Sequence, residues 1–224
     1  MKTSRRILNL LLLLSIAFLI SRRAVFFAGP APVSEPATQS GMSARTPSTR
    51  LVNGGSSRRL AESMHAKIGF IQENGARPRP QPVATVMTEE EINDYLASDH
   101  VELPKGVEKV TLQGHAGMVT ALLKVDFDKI REGQRSSNPL LGMFSGTHNV
   151  MVESDAAGSG GQGRVHVRTV TLDGVEVPRI ALQYFVAKYL TAKNPNIGLD
   201  SQFPLPDKID TAAVGYHKLT VTQK

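Results

Sequence analysis

The residue types that could do catalytic chemistry are spread along the chain without a nucleophile motif. Ser145 lies in Gly142-Met143-Phe144-Ser145-Gly146, one position too late for the Gly-x-Ser-x-Gly elbow of a hydrolase. The chain has no cysteine, and no His-Glu-x-x-His pair occurs among its six histidines, His65, His100, His115, His148, His166 and His217. We therefore predict that the protein is not an enzyme. A hydrolase that uses Ser145 and a nearby histidine stays a third alternative, because sites assemble from distant residues.

The spacing of the remaining polar residues indicates neither a metal nor a nucleotide site. Asp126 and Asp128 lack the third ligand and the glycine of a calcium loop. The segment Gly158–Gly163 matches the letters of the dinucleotide fingerprint, but that motif requires a helix directly after it. Val165-His166-Val167 predicts a strand instead. We therefore predict a hairpin loop at these glycines, and no cofactor, metal or nucleotide.

The positive charge of the chain lies outside its folded part. The whole sequence has a net charge of +6, whereas residues 1–59 alone carry nine basic residues and one acid, Glu35. Residues 60–224 are therefore mildly acidic. A domain without a basic face cannot neutralise phosphates or release counterions, so nucleic acid is not an expected partner.

The N-terminus has the pattern of an export signal. Lys2, Arg5 and Arg6 precede the apolar run Ile7–Ile20, which is long enough for a signal peptide core but short for a bilayer-spanning helix. Cleavage after Ser21 would put Leu19, and cleavage after Ala28 would put Phe26, at the third-last place, where a signal peptidase prefers a small residue. We predict a signal peptide or an uncleaved signal anchor over 1–28. The absence of acids before Glu35 leaves an organelle transit peptide as an alternative.

Residues 29–83 have the composition of a disordered linker, rich in proline, serine, threonine and glycine. Within them, Leu60, Met64, Ile68 and Ile71 have helical spacing, which indicates a short amphipathic helix over 58–72. Such a helix could lie on the domain or on an anionic membrane. Because Arg77-Pro78-Arg79-Pro80-Gln81-Pro82 breaks regular structure, we predict that the compact domain spans 84–224.

The first half of this domain predicts a helix followed by a hairpin. Thr88-Glu89-Glu90-Glu91 is a capping box, and the helix that it starts should bury Ile92, Tyr95 and Leu96. Strands are predicted over Val107–Gln113 and Met118–Phe127, with a turn at Gly114–Gly117. In the second strand alternate residues are apolar and should share one face: Val119, Ala121, Leu123, Val125 and Phe127.

The second half adds an apolar insert, four strands and a helix. The insert opens at Asn138-Pro139, and strands are predicted around His148–Glu153 and over Arg164–Leu172. The apolar parity switches within the latter, which predicts a bulge. A helix should follow Pro178, with a final hairpin over Lys208–Val214 and Tyr216–Thr222. The order α-β-β-(short α)-β-β-α-β-β predicts an α+β fold with antiparallel meanders and helices on one face.

Four segments carry a family resemblance that spans about residues 84–224. They are Met87-Thr88-Glu89-Glu90-Glu91-Ile92-Asn93, Asn138-Pro139-Leu140-Leu141 with Ser145-Gly146, Leu172-Asp173-Gly174-Val175-Glu176-Val177-Pro178, and Phe203-Pro204-Leu205-Pro206. Their order resembles small exported bacterial lipid-binding proteins of the LmeA and YpmS sort, in the AsmA-like group. The phospholipid-binding branch usually continues the last motif as Leu-Pro-Phe-Gly, whereas Asp207-Lys208 follow here. The resemblance implies a curved antiparallel sheet wrapped on a long helix, an apolar groove and a membrane anchor.

Two functional hypotheses follow for this exported chain, which should be anchored to the inner membrane or released into the periplasm or extracellular space. In the first, the domain binds a lipid or other apolar molecule between sheet and helix, lined by Val119, Leu123, Val125, Phe127, Val170, Phe185 and Tyr189. In the second, it is a tethered structural or assembly factor that docks another envelope protein. The apolar insert is expected to cover the groove or to contact a membrane or partner through Leu140, Leu141, Met143 and Phe144. The strongest objection is that all of these residues simply form the core.

Overall fold

The computed structural model describes residues 51–131, 139–191 and 198–224. The predicted leader over 1–28 and residues 29–50 of the predicted linker lie outside the described residues. Within the described ranges, no helix is both long and apolar enough to cross a bilayer.

The first described element is a long helix, α1 (Leu51–Ala76), in a region that the sequence predicted as linker with a helix over 58–72. The prediction missed its length because Gly54, Gly55 and the neighbouring serines are typical of flexible segments. The helix is stabilised by packing rather than by intrinsic propensity, since an apolar stripe at helical spacing is buried in the core: Ala61, Met64, Ile68 and Ile71. The folded unit therefore begins well before residue 84.

A short strand and a capped helix follow. Strand β1 (Val83–Thr88) was not predicted, and it pairs antiparallel with the last strand of the chain. Thr88 ends β1 and caps α2 (Glu89–Leu96): its hydroxyl accepts from the Glu91 amide at 3.2 Å, and the Glu91 carboxylate accepts from the Thr88 amide at 2.8 Å. The predicted capping box is confirmed, as is the burial of Ile92, Tyr95 and Leu96.

The nine strands of the described residues form one antiparallel sheet, and the strands differ in length. Its main path runs β1-β9-β8-β4-β3-β2, and β5 pairs with β4 and carries β6 and β7. The remaining strands are β2 (Val107–His115), β3 (Met118–Asp126), β4 (Thr147–Ser159), β5 (Gln162–Leu172), β6 (Val175–Glu176), β7 (Asp200–Pro204), β8 (Ile209–Gly215) and β9 (Lys218–Gln223). The predicted combination of helices and antiparallel sheet is confirmed.

The long strand β4 holds the branches of this sheet together. Its residues 147–155 pair with β3, whereas Ala157 and Gly158 pair with β8. A side chain at Gly158 would lie 3.0 Å from the Ala212 Cβ atom, so the close approach of β4 and β8 requires glycine. On the other side, Glu153 pairs with Thr169 and Ser154 with Val167, which leaves Arg168 as a bulge. The bulge predicted from the parity switch is confirmed.

Short helical segments occupy the connections. They are α3 (Phe127–Ile130), a 3-10 turn (Pro139–Leu141) and α4 (Arg179–Phe185), which continues as a π-helical segment (Val186–Thr191). Phe127, predicted to end a strand, instead begins α3, because the Asp126 carboxylate caps the amides of Asp128 and Lys129 at 3.1 Å. The order therefore contains α1, β1, α3, β6 and β7 in addition to the predicted elements. The wrapping of the sheet on a long helix stays a prediction.

The sequence predicted the position of the β4–β5 turn but not that of the β8–β9 turn. Gly160 and Gly161 form the two-residue turn between β4 and β5 with φ angles of 59° and 74°, which confirms the predicted loop at the glycine-rich segment. The β8–β9 hairpin turns at Tyr216-His217, inside the region predicted as the final strand. His217 has a φ of 51°, a left-handed conformation that ends the strand pairing there.

Candidate ligand site

Four aromatic rings from separate short elements meet at one end of β3, and we call them the aromatic cluster: Phe127, Phe144, Phe185 and Tyr189. Phe127 begins α3, Phe144 follows the 3-10 turn, and the other two lie on α4 and the π-helical segment. The rings of Phe144 and Phe185 stack with centroids 4.3 Å apart, and Phe127 meets Phe185 edge to face at 5.5 Å. Tyr189 completes the cluster, 5.1 Å from Phe185.

The structure places all seven predicted groove residues in the core. Val119, Leu123 and Val125 lie on β3, and Val170 lies on β5. The other three belong to the aromatic cluster. All seven are buried: Val119, Leu123, Val125, Val170, Phe127, Phe185 and Tyr189. Because these side chains have almost no accessible surface, protein atoms rather than open space surround them. A ligand at this place must displace a side chain.

Two of the four apolar residues of the insert pack into the core. Leu141 and Phe144 are buried and pack into the core, so neither is presented to a membrane or partner. They are buried because the stacking of Phe144 on Phe185 holds the insert against α4. Met143 is 39% exposed, and the side chain of Leu140 lies outside the described parts of the chain.

The hydroxyl group of Tyr189 is buried and has no hydrogen-bond partner among residues 51–131, 139–191 and 198–224. The residue is only 5% exposed, and its ring lies against Phe185. Buried polar atoms in native proteins nearly always have partners, so an unpartnered hydroxyl in an apolar cluster needs an explanation. Tyr189 also lies in the π-helical segment, a backbone form that is rare and concentrates at functional sites.

Arg131 is a second residue with a buried polar atom, and it lies at the C-terminal end of α3, the helix that Phe127 begins. Arg131 follows Phe127 by one helical turn, with its amide bonded to the Phe127 carbonyl at 3.0 Å. The Arg131 Nη2 atom donates to Asp128, whereas its buried Nε atom has no partner among the described residues. In the described part of the chain, the Tyr189 phenol and the Arg131 guanidinium therefore each have a buried donor that is not used.

His148 and Asp173 are hydrogen-bonded as in a catalytic dyad, but His148 is not arranged to act as a base. The His148 Nδ1 atom lies 2.6 Å from Asp173 Oδ2, and its Nε2 atom lies 2.7 Å from the Ser145 carbonyl oxygen. Because both partners are acceptors, both ring nitrogens must carry protons. The Ser145 hydroxyl donates to the Gly142 carbonyl at 2.9 Å and not to the imidazole. An imidazolium in this arrangement cannot activate Ser145 as a base.

The hydrogen bonds that His148 donates to Asp173 and to the Ser145 carbonyl hold the pKa of His148 above its ordinary value of 6.5. The same pair lowers the pKa of Asp173 below 3.8. A raised histidine pKa stabilises the fold below about pH 6.5, and this contribution is lost as the pH rises through the folded-state pKa. Because the pKa of Asp173 is lowered, its interaction with His148 stabilises the fold above about pH 4.

We predict that His148→Asn destabilises the protein more at pH 5 than at pH 8.5. The difference between the two pH values should be about 0.5–1 kcal/mol, since the pair is partly exposed. Urea denaturation at both pH values measures it, with Asp173→Asn as the matched variant that removes the other partner. A pH-independent loss of stability would show that His148 is not held as the charged form.

A small cavity away from the aromatic cluster, between α2 and the ends of β2 and β9, is too small for a lipid. It is lined by apolar residues that include Ile92, Leu112, Val119 and Leu219, and its volume is about 30 Å³. That volume holds roughly one water molecule. Among the described residues no group of histidines and carboxylates is arranged to hold a metal ion.

No protein-family model, curated protein or solved structure matches this chain. The resemblance to LmeA and YpmS proteins therefore stays a prediction. The aromatic cluster, argued from its geometry alone, is the candidate ligand site.

Proposed function

We propose that the protein is a non-catalytic envelope module that binds a lipid or other apolar molecule at the aromatic cluster. The observation that supports this most strongly is the Tyr189 hydroxyl, which is buried beside the ring of Phe185 and has no partner in the described part of the chain. A ligand with an apolar chain and an oxygen acceptor supplies what this hydroxyl lacks.

The energetics favour a ligand over a purely structural role for Tyr189. Leaving a hydroxyl buried and unpaired costs about 1–3 kcal/mol, which phenylalanine at the same position would avoid. A ligand carbonyl or carboxylate that accepts from Tyr189 recovers this free energy on binding. The unpartnered Nε atom of Arg131 adds a preference for an anionic head group, because guanidinium matches carboxylate and phosphate oxygens.

Ligand entry requires Phe144 to leave the aromatic cluster. Its ring occupies the space against Phe185, and an acyl chain would replace this stacking contact with a similar apolar one. The insert bends at Gly146, which has a φ of 78°, and His148 anchors it through the Ser145 carbonyl. Phe144 can therefore swing out while the base of the insert stays attached to β4.

The leader and the charge distribution are consistent with this role. An export signal over 1–28 delivers the domain to the envelope, either tethered to the inner membrane or released beyond it. The mildly acidic domain offers no surface suited to nucleic acid. Docking of another envelope protein is the alternative, and it predicts a protein partner in place of a bound lipid.

The substitution Tyr189→Phe tests the proposal. We expect it to weaken binding of a fluorescent long-chain fatty acid by about 3- to 30-fold, the value of one hydrogen bond to a neutral or charged acceptor. The stability of the unliganded protein should stay equal or rise, because an unpaired hydroxyl is removed. Titration of the probe with the full chain measures the first effect and urea denaturation the second.

Tyr184→Phe is the matched control, because Tyr184 lies earlier on the same helical segment and is half exposed. It removes the same atom and should leave probe binding unchanged. Equal affinities for all three proteins, or no binding by the wild type, would contradict a ligand at Tyr189.

A further inference from the structure

The imidazole of His148 connects the insert to the sheet beside the aromatic cluster. His148 lies near the start of β4, and its ring centroid is 6.0 Å from that of Phe127. Its Nε2 atom bonds to the carbonyl of Ser145, the residue after Phe144, and its Nδ1 atom bonds to Asp173. Asp173 lies in the turn between β5 and β6. One side chain therefore joins the neighbour of Phe144 to a turn on another part of the sheet.

The insert has a hinge at Gly146. This residue has a φ of 78°, and no atom lies within 4 Å of the position that a Cβ atom would take. The hinge itself is fixed on α3, because the Gly146 amide donates to Asp128 at 3.1 Å. Phe144 lies two residues before the hinge, and the bond from His148 to Ser145 lies between them. That bond restricts how far the insert can turn about Gly146.

Both bonds of His148 require the charged imidazole. A neutral ring keeps one N–H group and has a lone pair on the other nitrogen. The Asp173 carboxylate is charged and accepts more strongly than a neutral carbonyl, and the Asn149 amide holds it in place at 2.9 Å. The remaining proton therefore stays on Nδ1. The Nε2 lone pair would then face the Ser145 oxygen at 2.7 Å, where two acceptors repel each other.

The other charged groups on the helical elements around His148 have partners of their own. The Asp126 carboxylate lies 3.0 Å from the Lys129 Nζ atom, and Asp128 is paired with Arg131. These contacts leave the imidazole without a second carboxylate.

The sheet and α4 add no further charge at the imidazole. Lys124 pairs with Asn149, and Glu176 pairs with Thr171, so both lie on the face of the sheet opposite to His148. On the segment that begins with α4, Arg179 lies 3.4 Å from Asp200 and Lys188 lies over the Tyr189 ring. Asp173 is therefore the charged group that determines whether His148 holds its second proton.

We propose that His148 is a pH-dependent latch on the insert: the protonated imidazole holds the insert close to the aromatic cluster, and loss of its Nε2 proton lets Phe144 leave more readily. This inference concerns the regulation of the candidate site and rests on the proposed function for its purpose. The pKa of His148 lies above 6.5, mainly because the ring donates to Asp173. The latch is therefore closed below about pH 6.5 and opens as the pH rises through the folded-state pKa.

Tryptophan fluorescence can follow the insert, because the chain contains no tryptophan. Phe144→Trp in the full chain places a single indole at a position that is 2% exposed. Acrylamide is uncharged, so its quenching of the indole reports exposure at any pH. A second measurement needs no substitution: hydrogen exchange of the Phe144 amide, which donates to the Leu141 carbonyl at 3.2 Å, is compared with its intrinsic rate at each pH.

We expect acrylamide quenching of the Phe144→Trp chain to rise about three- to tenfold between pH 6 and pH 9, the effect of losing one charge-assisted bond at a partly exposed site. Exchange of the wild-type amide, relative to its intrinsic rate, should accelerate by a similar factor. Quenching and exchange that are the same at both pH values would overturn the proposal.

Three further substitutions, each combined with Phe144→Trp, identify the titrating group. His148→Asn should abolish the pH dependence, since asparagine does not titrate. Asp173→Asn should move the midpoint to lower pH, because a neutral partner no longer favours the charged imidazole, whereas a purely structural contact would leave the midpoint in place. His166→Asn is the matched control, because it removes the histidine of the exposed pair with Asp200 and should leave the response unchanged. A pH response that survives in His148→Asn would also overturn the proposal.

Lipid binding is measured separately, so that the two proposals fail differently. A fluorescent lysophospholipid keeps the charge of its phosphodiester over this pH range, and its association with the wild-type chain should accelerate with the same midpoint. Binding without any pH-dependent movement of residue 144 would remove the latch and keep the proposed function. Movement of residue 144 without binding would remove the proposed function and keep the latch as a property of the fold.

Discussion

Gly75→Ala is expected to destabilise the protein by about 2–4 kcal/mol, although alanine normally favours a helix. A Cβ atom at this position would lie 2.4 Å from the Asp207 carbonyl oxygen and 2.7 Å from the Asp207 carbonyl carbon. That oxygen cannot retreat freely, because it accepts from the Nε2 atom of Gln223 at 2.6 Å and Gln223 is fully buried. The added methyl group must therefore separate α1 from the turn before β8.

Gly69→Ala is the matched control on the same helix. Nothing lies within 4 Å of a Cβ atom at Gly69, so this substitution should stabilise the protein by about 0.5–1 kcal/mol through helix propensity alone. Urea denaturation of the full chain measures both effects. If both glycines responded alike, α1 would not be packed against Asp207 as described.

Lys67→Met is expected to cost about 2–4 kcal/mol at pH 7, because it leaves a buried carboxylate without its cation. The Lys67 Nζ atom lies 2.6 and 2.7 Å from the two carboxylate oxygens of Glu91 and donates to the Val86 carbonyl at 2.8 Å. The Ser63 hydroxyl adds a bond to Glu91 at 2.6 Å. This network joins α1 to α2 and β1, so its loss should loosen α1 from the domain.

The effect should depend on pH. Burial on its own raises the pKa of Glu91, but the bonds from Lys67, Ser63 and the Thr88 amide outweigh it and keep the pKa below its ordinary value of 4.5. A lowered carboxyl pKa stabilises the fold above about pH 4.5, and this contribution is lost as the pH falls through the folded-state value. The cost of Lys67→Met should therefore shrink toward pH 4.

The control for Lys67→Met is the double variant Lys67→Met with Glu91→Gln. A neutral amide keeps the shape of the carboxylate without its charge, so the double variant should recover part of the lost stability. Denaturant unfolding at pH 7 and pH 4 measures the three proteins. A loss for Lys67→Met that is below about 0.5 kcal/mol, or identical at both pH values, would contradict this account of how α1 is held.

Local signals in the sequence predicted the parts of the fold that depend on neighbouring residues. The capping box at Thr88 and Glu91 and the alternation of β3 each follow from a short stretch of chain. The parity switch before Val170 likewise corresponds to the bulge at Arg168. These features are determined by backbone geometry and by which face meets the core, both of which a pattern expresses directly.

Elements held by distant partners were missed. The Asn74 amide bonds to Gln223 and to the Gln81 carbonyl, contacts that span up to 149 residues and fix the end of α1. Strand β7 contains Pro204 and acquires its pairing only from β5. No local pattern indicates such partners, so the sequence predicted only residues 58–72 of α1 as helix and did not predict β7.

The candidate ligand site stays a prediction. Phe127, Phe185 and Tyr189 were predicted as groove residues and Phe144 as part of the insert, and their four rings lie together in the structure. The sequence could not show that the Tyr189 hydroxyl is unpartnered, because that depends on the absence of an acceptor among residues from four elements. The exposure of Ile180 and Tyr184 was detectable in principle, as the apolar residues of α4 outnumber those that one helical face can bury.

The most direct test of the account is the mass of the native protein. The full chain, extracted from membranes in mild detergent and measured by native mass spectrometry, is predicted to carry one lipid molecule per chain. Tyr189→Phe should reduce the bound fraction and Tyr184→Phe should not. A wild-type chain that shows only its own mass, and that acquires no lipid from added vesicles, would contradict the claim that the aromatic cluster is a ligand site.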